Sequence, residues 1–291
     1  LRGVNLAHRV LGTRLMQWGS DALRVVSMKT VPAWNKAMPT GLGRVPSLPG
    51  VSKDDADAAK TVVYFPSCIA RNMGPDLVSE DRRSEAQVTL DVLARAGFTV
   101  VYPENVEQLC CGMAFASKGF TAEAKARENE LNAALLKATD NGRIPVLSET
   151  SPCLLHMRET LDARLKLFEP VSYALEFLIP ELPVVKLPKT VAVHATCSTR
   201  KMGLAGKLEE LAALCAEKVV VPQGTDCCGF AGDRGFTHPE LNETALQGLR
   251  LQVSGCEAGY STSRTCEIGL TLHSGIPYMP ILALLDEATR K

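Results

Sequence analysis

The sequence lacks the features that mark several common protein classes. It has no excess of charge, because 32 basic side chains balance 32 acidic ones among 291 residues, and a neutral chain gives no reason to expect nucleic-acid binding. No uninterrupted apolar run reaches the length of a membrane span, and no secretory signal is visible. We therefore expect a globular protein of the cytoplasm without a transmembrane segment, with a peripheral position at the inner membrane as the alternative.

Two motifs of redox enzymes are also missing. No Gly-x-Gly-x-x-Gly follows an expected strand and opens a helix, so we expect no flavin or nicotinamide site in this chain and name no catalytic residue. No cysteines are spaced as Cys-x-x-Cys, which disfavours dithiol–disulfide catalysis. Without a signal peptide, the ten cysteines favour reduced thiols or metal ligands over a disulfide framework.

Two adjacent pairs of cysteines organise what is present, in Cys110-Cys111-Gly112 and in Cys227-Cys228-Gly229. Neighbouring side chains on an extended backbone point in opposite directions, so adjacent cysteines suit a disulfide poorly. A sharp loop can instead turn both thiolates towards one metal or cluster. The glycine supplies the backbone freedom and the close approach that such a loop needs.

The two pairs belong to an internal duplication. Residues 61–74 and 190–203 share Thr, Val, Cys, Arg, Met and Gly in register without a gap, and each pair has one cysteine upstream and one downstream. Four thiolates from three loops can bind a 4Fe–4S cluster or a tetrahedral zinc, and ligand count alone does not separate these. The predicted metal ligands are Cys68, Cys110, Cys111 and Cys153 in the first half, and Cys197, Cys227, Cys228 and Cys266 in the second.

Short β-branched runs alternate with helical segments, which predicts an α/β fold whose parallel sheets are covered on both faces. We predict two pseudo-symmetric lobes, at residues 56–185 and 186–291, each a small parallel sheet flanked by helices. Residues 180–189 are predicted as the hinge between them. All eight recurring cysteines follow strand ends, where ligands collect in such folds. One site per lobe is therefore expected.

A helical and Pro/Gly-rich arm is predicted at residues 1–55. Leu6 to Met28 is amphipathic, with Leu11, Leu15, Trp18, Ala22 and Val25 at helical spacing. The first fifty residues contain seven basic side chains and one acidic one. The arm either offers a surface to a partner or lies back across its own acidic body, and we prefer the second interpretation.

Several other side chains bear on the expected sites. Arg71, Arg200, Lys118 and Arg234 flank the cysteines and either offset an anionic cluster or are ordinary surface cations. We interpret Cys215 and Cys256 as structural, because Cys215 lies on an apolar helix face and Cys256 precedes its strand. His194 is disfavoured as a ligand, because its counterpart in the first half is Phe65.

The doubled cysteine arrangement resembles the cysteine-rich CCG domain of heterodisulfide reductase, of the glycolate oxidase iron–sulfur subunit and of the anaerobic glycerol-3-phosphate dehydrogenase iron–sulfur subunit. Residues 62–68 and 261–267 are most similar to the C-terminal part of large FAD- and iron–sulfur-containing D-lactate dehydrogenases. The resemblance runs from about residue 61 to the end of the chain. Many relatives close each motif with Cys-x-x-Cys, where this chain has Thr150 and Ser263 at the first position. Four thiols per lobe, rather than five, put heterodisulfide chemistry in doubt.

The resemblance implies the iron–sulfur electron-transfer part of an FAD-dependent 2-hydroxy acid dehydrogenase, with D-lactate as the substrate. The chain begins at Leu1, so we expect a fragment that follows FAD-binding and ferredoxin-like domains of one polypeptide, with FAD bound only in that upstream portion. The fragment alone should not oxidise the substrate, and the acceptor would be a quinone or a cytochrome. Two alternatives remain: a zinc-stapled docking scaffold in which one or both sites hold zinc, and thiol–disulfide chemistry of the heterodisulfide reductase type.

Overall fold

A computed structural model of the chain describes residues 2–42, 44–47, 60–75 and 81–290. The predicted boundary at residue 55 lies outside these residues, and the division into 1–55, 56–185 and 186–291 stays a prediction. The described helices are α1 (Arg2–Val26), α2 (Cys68–Asn72), α3 (Glu85–Arg95), α4 (Met113–Ala116), α5 (Thr121–Ala138), α6 (Ser151–Thr160), α7 (Pro170–Tyr173), α8 (Cys197–Lys201), α9 (Ala205–Cys215), α10 (Arg234–Thr237), α11 (Pro239–Ala245), α12 (Leu249–Gln252), α13 (Arg264–Ser274) and α14 (Ile281–Thr289). The described strands are β1 (Thr61–Tyr64), β2 (Thr99–Val101), β3 (Val146–Leu147), β4 (Leu167–Phe168), β5 (Leu187–Val193), β6 (Ala216–Val220), β7 (Ala258–Ser261) and β8 (Tyr278–Pro280).

The strands form two four-stranded parallel sheets of identical topology. The first has the order β2-β1-β3-β4 and the second β6-β5-β7-β8. In both, the strand order reverses between the first and third strands of the lobe, and in such sheets this point opens a crevice beyond the strand C-termini. The predicted α/β fold with duplicated lobes is confirmed. The edge strands β4 and β8, each of two or three residues, were not predicted.

The two lobes share one hydrophobic core. Helices α3 and α7 of the first lobe pack against α9 and α14 of the second, so that Leu93, Leu211 and Leu285 belong to one buried cluster. Asp286 of α14 is fully buried and pairs with Arg83, Arg95 and Arg290. The predicted hinge at residues 180–189 therefore joins two lobes that are packed together.

Glycines in the left-handed region explain where two predicted helices differ from the structure. A single helix was predicted from Pro239 to Gln252, but it is divided into α11 and α12 at Gly248, whose φ is 82°. The helix predicted from Leu6 to Met28 is α1, and Gly12 interrupts it with a φ of 70° and a ψ of 168°. Both breaks follow because glycine lacks a Cβ and takes positive φ at little cost.

The segment after α1 lies across both lobes. The N–H of Ala33 donates to the carbonyl of Phe236 at 2.6 Å, and the N–H of Leu42 donates to that of Asn72 at 2.9 Å. The side chain of Ala37 is buried in the second lobe's core. This part of the arm follows the preferred interpretation of an arm folded back onto its own body.

Candidate metal centre

The outer cysteines of each motif lie at helix starts beyond the central strands. Cys68 is the first residue of α2, directly after β1, and Ser67 caps that helix by accepting from the N–H of Ala70 at 3.2 Å. Cys153 is the third residue of α6, which follows β3. Because β1 and β3 are neighbours in the sheet, both thiols lie at the crevice where the strand order reverses.

The paired cysteines are positioned by the glycine that follows them. Gly112 has a φ of 86°, and a Cβ built on it would lie 2.8 Å from the carbonyl oxygen of Ala124 in α5. Gly229 has a φ of 70° and approaches the carbonyl of Leu241 in α11 closely enough to exclude a Cβ. The predicted close approach therefore exists in both lobes, and its partner is the backbone of the following helix.

All four thiols of the first lobe come together around one cavity. The thiol of Cys110 is in hydrogen-bonding contact with those of Cys68 and Cys111, and Cys111 is in turn in contact with Cys153. The four side chains line a cavity of about 160 Å³. Its opposite wall comes from the second lobe and includes Phe236 and Thr265. The first centre is thus enclosed between the lobes.

One of these four thiols is favoured as a thiolate. Hydrogen bonds from the thiols of Cys111 and Cys68 lower the pKa of Cys110, and the N–H of Gly112 at 3.5 Å and the charge of Arg71 act in the same direction. Contacts with Cys110 and Cys153, together with burial, raise the pKa of Cys111, and the pKa of Cys68 is raised by its bond to Cys110 and by burial. Cys110 therefore carries the negative charge that a metal cation meets first.

The donor set fits a thiophilic metal or an iron–sulfur cluster. Soft thiolates select zinc, copper(I) or iron–sulfur clusters over hard cations. The first lobe offers four cysteines around the cavity, and the carboxylate of Asp233 from the second lobe also lines it. Within the described residues, no three His, Cys, Asp or Glu side chains are already spaced as ligands of one ion. The thiols are free of disulfide bonds, and ligation requires their deprotonation.

The second lobe gathers its thiols differently. The sulfurs of Cys228 and Cys266 lie 2.8 Å apart, longer than a disulfide bond, and Cys227 contacts Cys228. Cys197 begins α8, as Cys68 begins α2, but it is exposed and lines a separate cavity of about 210 Å³ together with Pro152 of the first lobe. The structure thus brings three of the four predicted thiols into one group, and the role of Cys197 stays a prediction.

A protein-family model for the CCG cysteine-rich domain matches residues 62–158 and, a second time, residues 191–270. The two matches contain all eight of the predicted ligand cysteines, and each overlaps the first three strands of one sheet but not its edge strand, β4 or β8. The chain belongs to the CCG cysteine-rich domain family.

Characterised relatives support this assignment. Lactate utilization protein A of Geobacillus kaustophilus is 26% identical over 194 residues, which cover 62% of this chain and 80% of that protein. The C subunit of the anaerobic glycerol-3-phosphate dehydrogenase of Escherichia coli K12 is 27% identical over 249 residues, or 76% of this chain. The matched region spans 60% of the length of that relative. Aspartate racemase of Picrophilus torridus aligns with 80% of this chain and 95% of its own at 12% identity and a TM-score of 0.34, a likeness too distant to bear on the site.

An arginine three residues after each leading cysteine contacts the segment directly before the cysteine pair of its lobe. Arg71 is buried and donates to the carbonyls of Val106 and Leu109, directly before the first cysteine pair. Arg200 pairs at 3.2 Å with Asp226, directly before the second pair. Arg71 is therefore not an ordinary surface cation, whereas Arg200 is exposed and forms a surface ion pair. Lys118 is exposed and pairs with Asp233 of the other lobe at 2.5 Å.

Three residues that were not predicted as ligands lie away from the first centre: Cys215, Cys256 and His194. Cys215 is fully buried in the shared core, and burial raises its pKa to about 12. Cys256 precedes β7, at the opposite end of that strand from Cys266. His194 is 2% exposed, and burial lowers its pKa to about 4, so it is a neutral core residue at pH 7.

Sequence reasoning missed a buried polar seam between the two CCG lobes. Ser151 of α6 bonds to the hydroxyls of Thr196 and Ser198 at 2.8 and 2.9 Å. In the first lobe, the carboxylate of buried Glu149 accepts from the N–H of Ser67 at 3.2 Å. The duplication contained a signal for part of this seam, since Ser67 and Thr196 occupy equivalent positions before their cysteines and both cap a helix.

Proposed function

We propose that this chain is the iron–sulfur electron-transfer part of an FAD-dependent 2-hydroxy acid dehydrogenase acting on D-lactate, with a 4Fe–4S cluster in the first lobe. The observation that carries the proposal is the set of four thiols around one enclosed cavity of about 160 Å³. A single zinc ion with Zn–S bonds of about 2.3 Å draws its ligands into mutual contact. The cavity has room for several atoms, because about 10–15 Å³ is enough for one water.

The residues of the first lobe would act as a rigid cage. Cys68, Cys110, Cys111 and Cys153 would be the ligands, and the bound cluster would supply one-electron transfer. Arg71 holds the loop before the pair through two carbonyls, and its charge favours thiolate at Cys110. Phe236 of the second lobe lines the same cavity and would limit access of water to a bound cluster.

A structural zinc is a second candidate, for the second lobe only. Two thiolates on one tetrahedral zinc lie about 3.8 Å apart, so the sulfurs of Cys228 and Cys266, which are 2.8 Å apart, would have to separate by about 1 Å to bind it. Cys227 would be the third ligand, and Cys197 would need to turn inward to be the fourth. In this assignment, the second lobe supports the first and carries no electrons.

The proposed partners are FAD-binding and ferredoxin-like domains upstream in the same polypeptide and a quinone or cytochrome acceptor. The similarity to lactate utilization protein A and to the C subunit of anaerobic glycerol-3-phosphate dehydrogenase favours a role as one component of an oxidoreductase. Neither name decides between D-lactate and another hydroxy acid. Among the described residues, no helix is long and apolar enough to cross a membrane. We place the protein in the cytoplasm or at the inner membrane surface.

Anaerobic reconstitution with iron and sulfide tests the proposal. Four iron atoms per chain, with broad visible absorption that Cys110→Ser removes, would support a cluster in the first lobe. Cys215→Ser, a change at a buried core thiol, is the matched control and should retain the absorption. Zinc without iron in the wild-type chain would favour the scaffold instead. In the intact polypeptide, Cys110→Ser should leave flavin reduction by D-lactate unchanged while slowing transfer to the acceptor.

A further inference from the structure

Helix α1 packs against the protein with its polar side. From Thr13 onward, the inward residues include Ser20, whose hydroxyl accepts from the N–H of Trp34 at 3.0 Å. Arg24 is 8% exposed and donates to the carbonyls of Val31 and Thr237, each at 2.8 Å. These contacts fix the rotation of the helix, and its polar groups are therefore the ones that hold it to the body.

The apolar side of α1 consequently faces outward. The outer face of α1 consists of Leu15, Trp18, Ala22, Val25 and Val26, at helical spacing. Trp18 is 72% exposed and Val25 is 83% exposed. Among the described residues, thirteen large apolar side chains are exposed, and eight of these lie between positions 10 and 28. Exposed apolar surface concentrated in this way marks an interaction site.

The charge around this face indicates what it contacts. The first fifty residues contain seven basic side chains and one acidic one, Asp21, whereas the rest of the chain is acidic by the same margin. Arg14 and Lys29 are exposed on or directly after the helix, and Lys36 and Arg44 are exposed further along the arm. An apolar helical ridge with tryptophan, set in a basic segment, has the chemistry of a helix that lies in an anionic lipid interface.

We propose that the outer face of α1 binds the surface of an anionic lipid bilayer. The helix from Thr13 to Val26 is about 21 Å long, and it would lie in the headgroup region without crossing the membrane. Arg24 also bonds to the carbonyl of Phe236 at 3.3 Å, and Phe236 lines the first-lobe cavity. Where the proposed electron-transfer function holds, this contact sets the first centre beside the phase in which a quinone dissolves.

Vesicle co-sedimentation of the intact polypeptide that carries this sequence tests the proposal. We expect binding to vesicles containing phosphatidylglycerol, at least tenfold weaker binding to pure phosphatidylcholine, and weakening by salt. The variant Trp18→Glu/Val25→Glu should bind at least tenfold more weakly than the wild type. The matched control Val185→Glu/Leu251→Glu alters two equally apolar exposed positions elsewhere, 69% and 83% exposed, and should bind as the wild type does.

Tryptophan fluorescence gives a second readout that does not depend on metal content. The chain has two tryptophans, and in the intact polypeptide the difference in emission between the wild type and Trp18→Phe isolates the contribution of Trp18. Its emission should shift to shorter wavelength with anionic vesicles. If the intact protein does not bind anionic vesicles at low salt, the proposal is wrong, and the outer face of α1 is assigned to a protein partner instead. Equal loss of binding in the control variant would overturn it as well. The metal-free protein should bind anionic vesicles as strongly as the metal-loaded protein. Membrane binding can therefore be confirmed even if the electron-transfer proposal fails.

Discussion

Replacing Gly112 by alanine should both destabilise the fold and disturb the first centre. The backbone at Gly112 has a φ of 86°, which costs a side-chain-bearing residue about 1–2 kcal/mol. The new Cβ would also lie 2.8 Å from the carbonyl oxygen of Ala124 and 3.2 Å from Cγ of Glu128. A backbone carbonyl cannot rotate away, so overpacking should add about 1–3 kcal/mol. We expect a total loss of about 2–5 kcal/mol in the free energy of unfolding.

Gly119 provides the matched control. Its φ is 82°, so Gly119→Ala carries the same backbone strain, but a Cβ there meets no atom within 4 Å. We expect Gly119→Ala to cost about 1–2 kcal/mol and to leave the cysteine pair in place. The difference between the two variants isolates the close approach of the loop to α5.

Urea denaturation of both variants, followed by far-UV circular dichroism, measures these losses. The iron content after anaerobic reconstitution then reports on the site: Gly112→Ala should bind less iron per folded chain, and Gly119→Ala as much as the wild type. If the two variants lose equal stability and bind equal iron, the packing of Gly112 on Ala124 does not position the cysteines, and the reasoning fails.

Three further expectations follow from buried charges and from the clamp on the cysteine loop. Burial raises the pKa values of Glu85 and Glu149 to about 8 from 4.5, and the charge of Glu149 adds to the effect at Glu85. The stability they contribute is therefore complete below about pH 4.5 and is lost as pH rises through 8, at no more than about 1.4 kcal/mol per pH unit for each group. Glu85→Gln should flatten the decline in urea midpoint between pH 6 and 9, an exposed change such as Glu210→Gln should not, and equal slopes would contradict the assignment. Asp286→Ala should cost about 1.5–3 kcal/mol in urea denaturation, because it removes the buried carboxylate that binds Arg95 and that Arg83 and Arg290 share with Asp81. Asp233→Ala, which removes an exposed pair, should cost at most about 1 kcal/mol, and similar losses would refute the difference. Arg71→Ala removes the donor to the carbonyls of Val106 and Leu109 and should slow iron uptake during anaerobic reconstitution. The control Arg143→Ala, which removes an exposed ion pair, should leave the rate of iron uptake unchanged. Equal rates in the two variants would exclude a positioning role for Arg71.

The sequence by itself determined the duplication, the alternation of strands and helices and the choice of the eight cysteines predicted as ligands. These properties are local or periodic. Gapless register between residues 61–74 and 190–203 requires no knowledge of packing, and a short β-branched run forms a buried strand in many contexts. The role of the glycine after each cysteine pair could be predicted for the same reason, because a positive φ is a property of a single residue.

Only the tertiary structure decided what depends on contacts between distant segments. The asymmetry of the two centres is such a property: Cys68 and Cys197 have matching sequence positions, yet one lines the enclosed cavity and the other an open one. The orientation of α1 is another. The apolar side of an amphipathic helix is expected to face the core, but specific hydrogen bonds of Ser20 and Arg24 turn it outward. A helical periodicity defines two faces, and the partners available in the fold decide which one is buried.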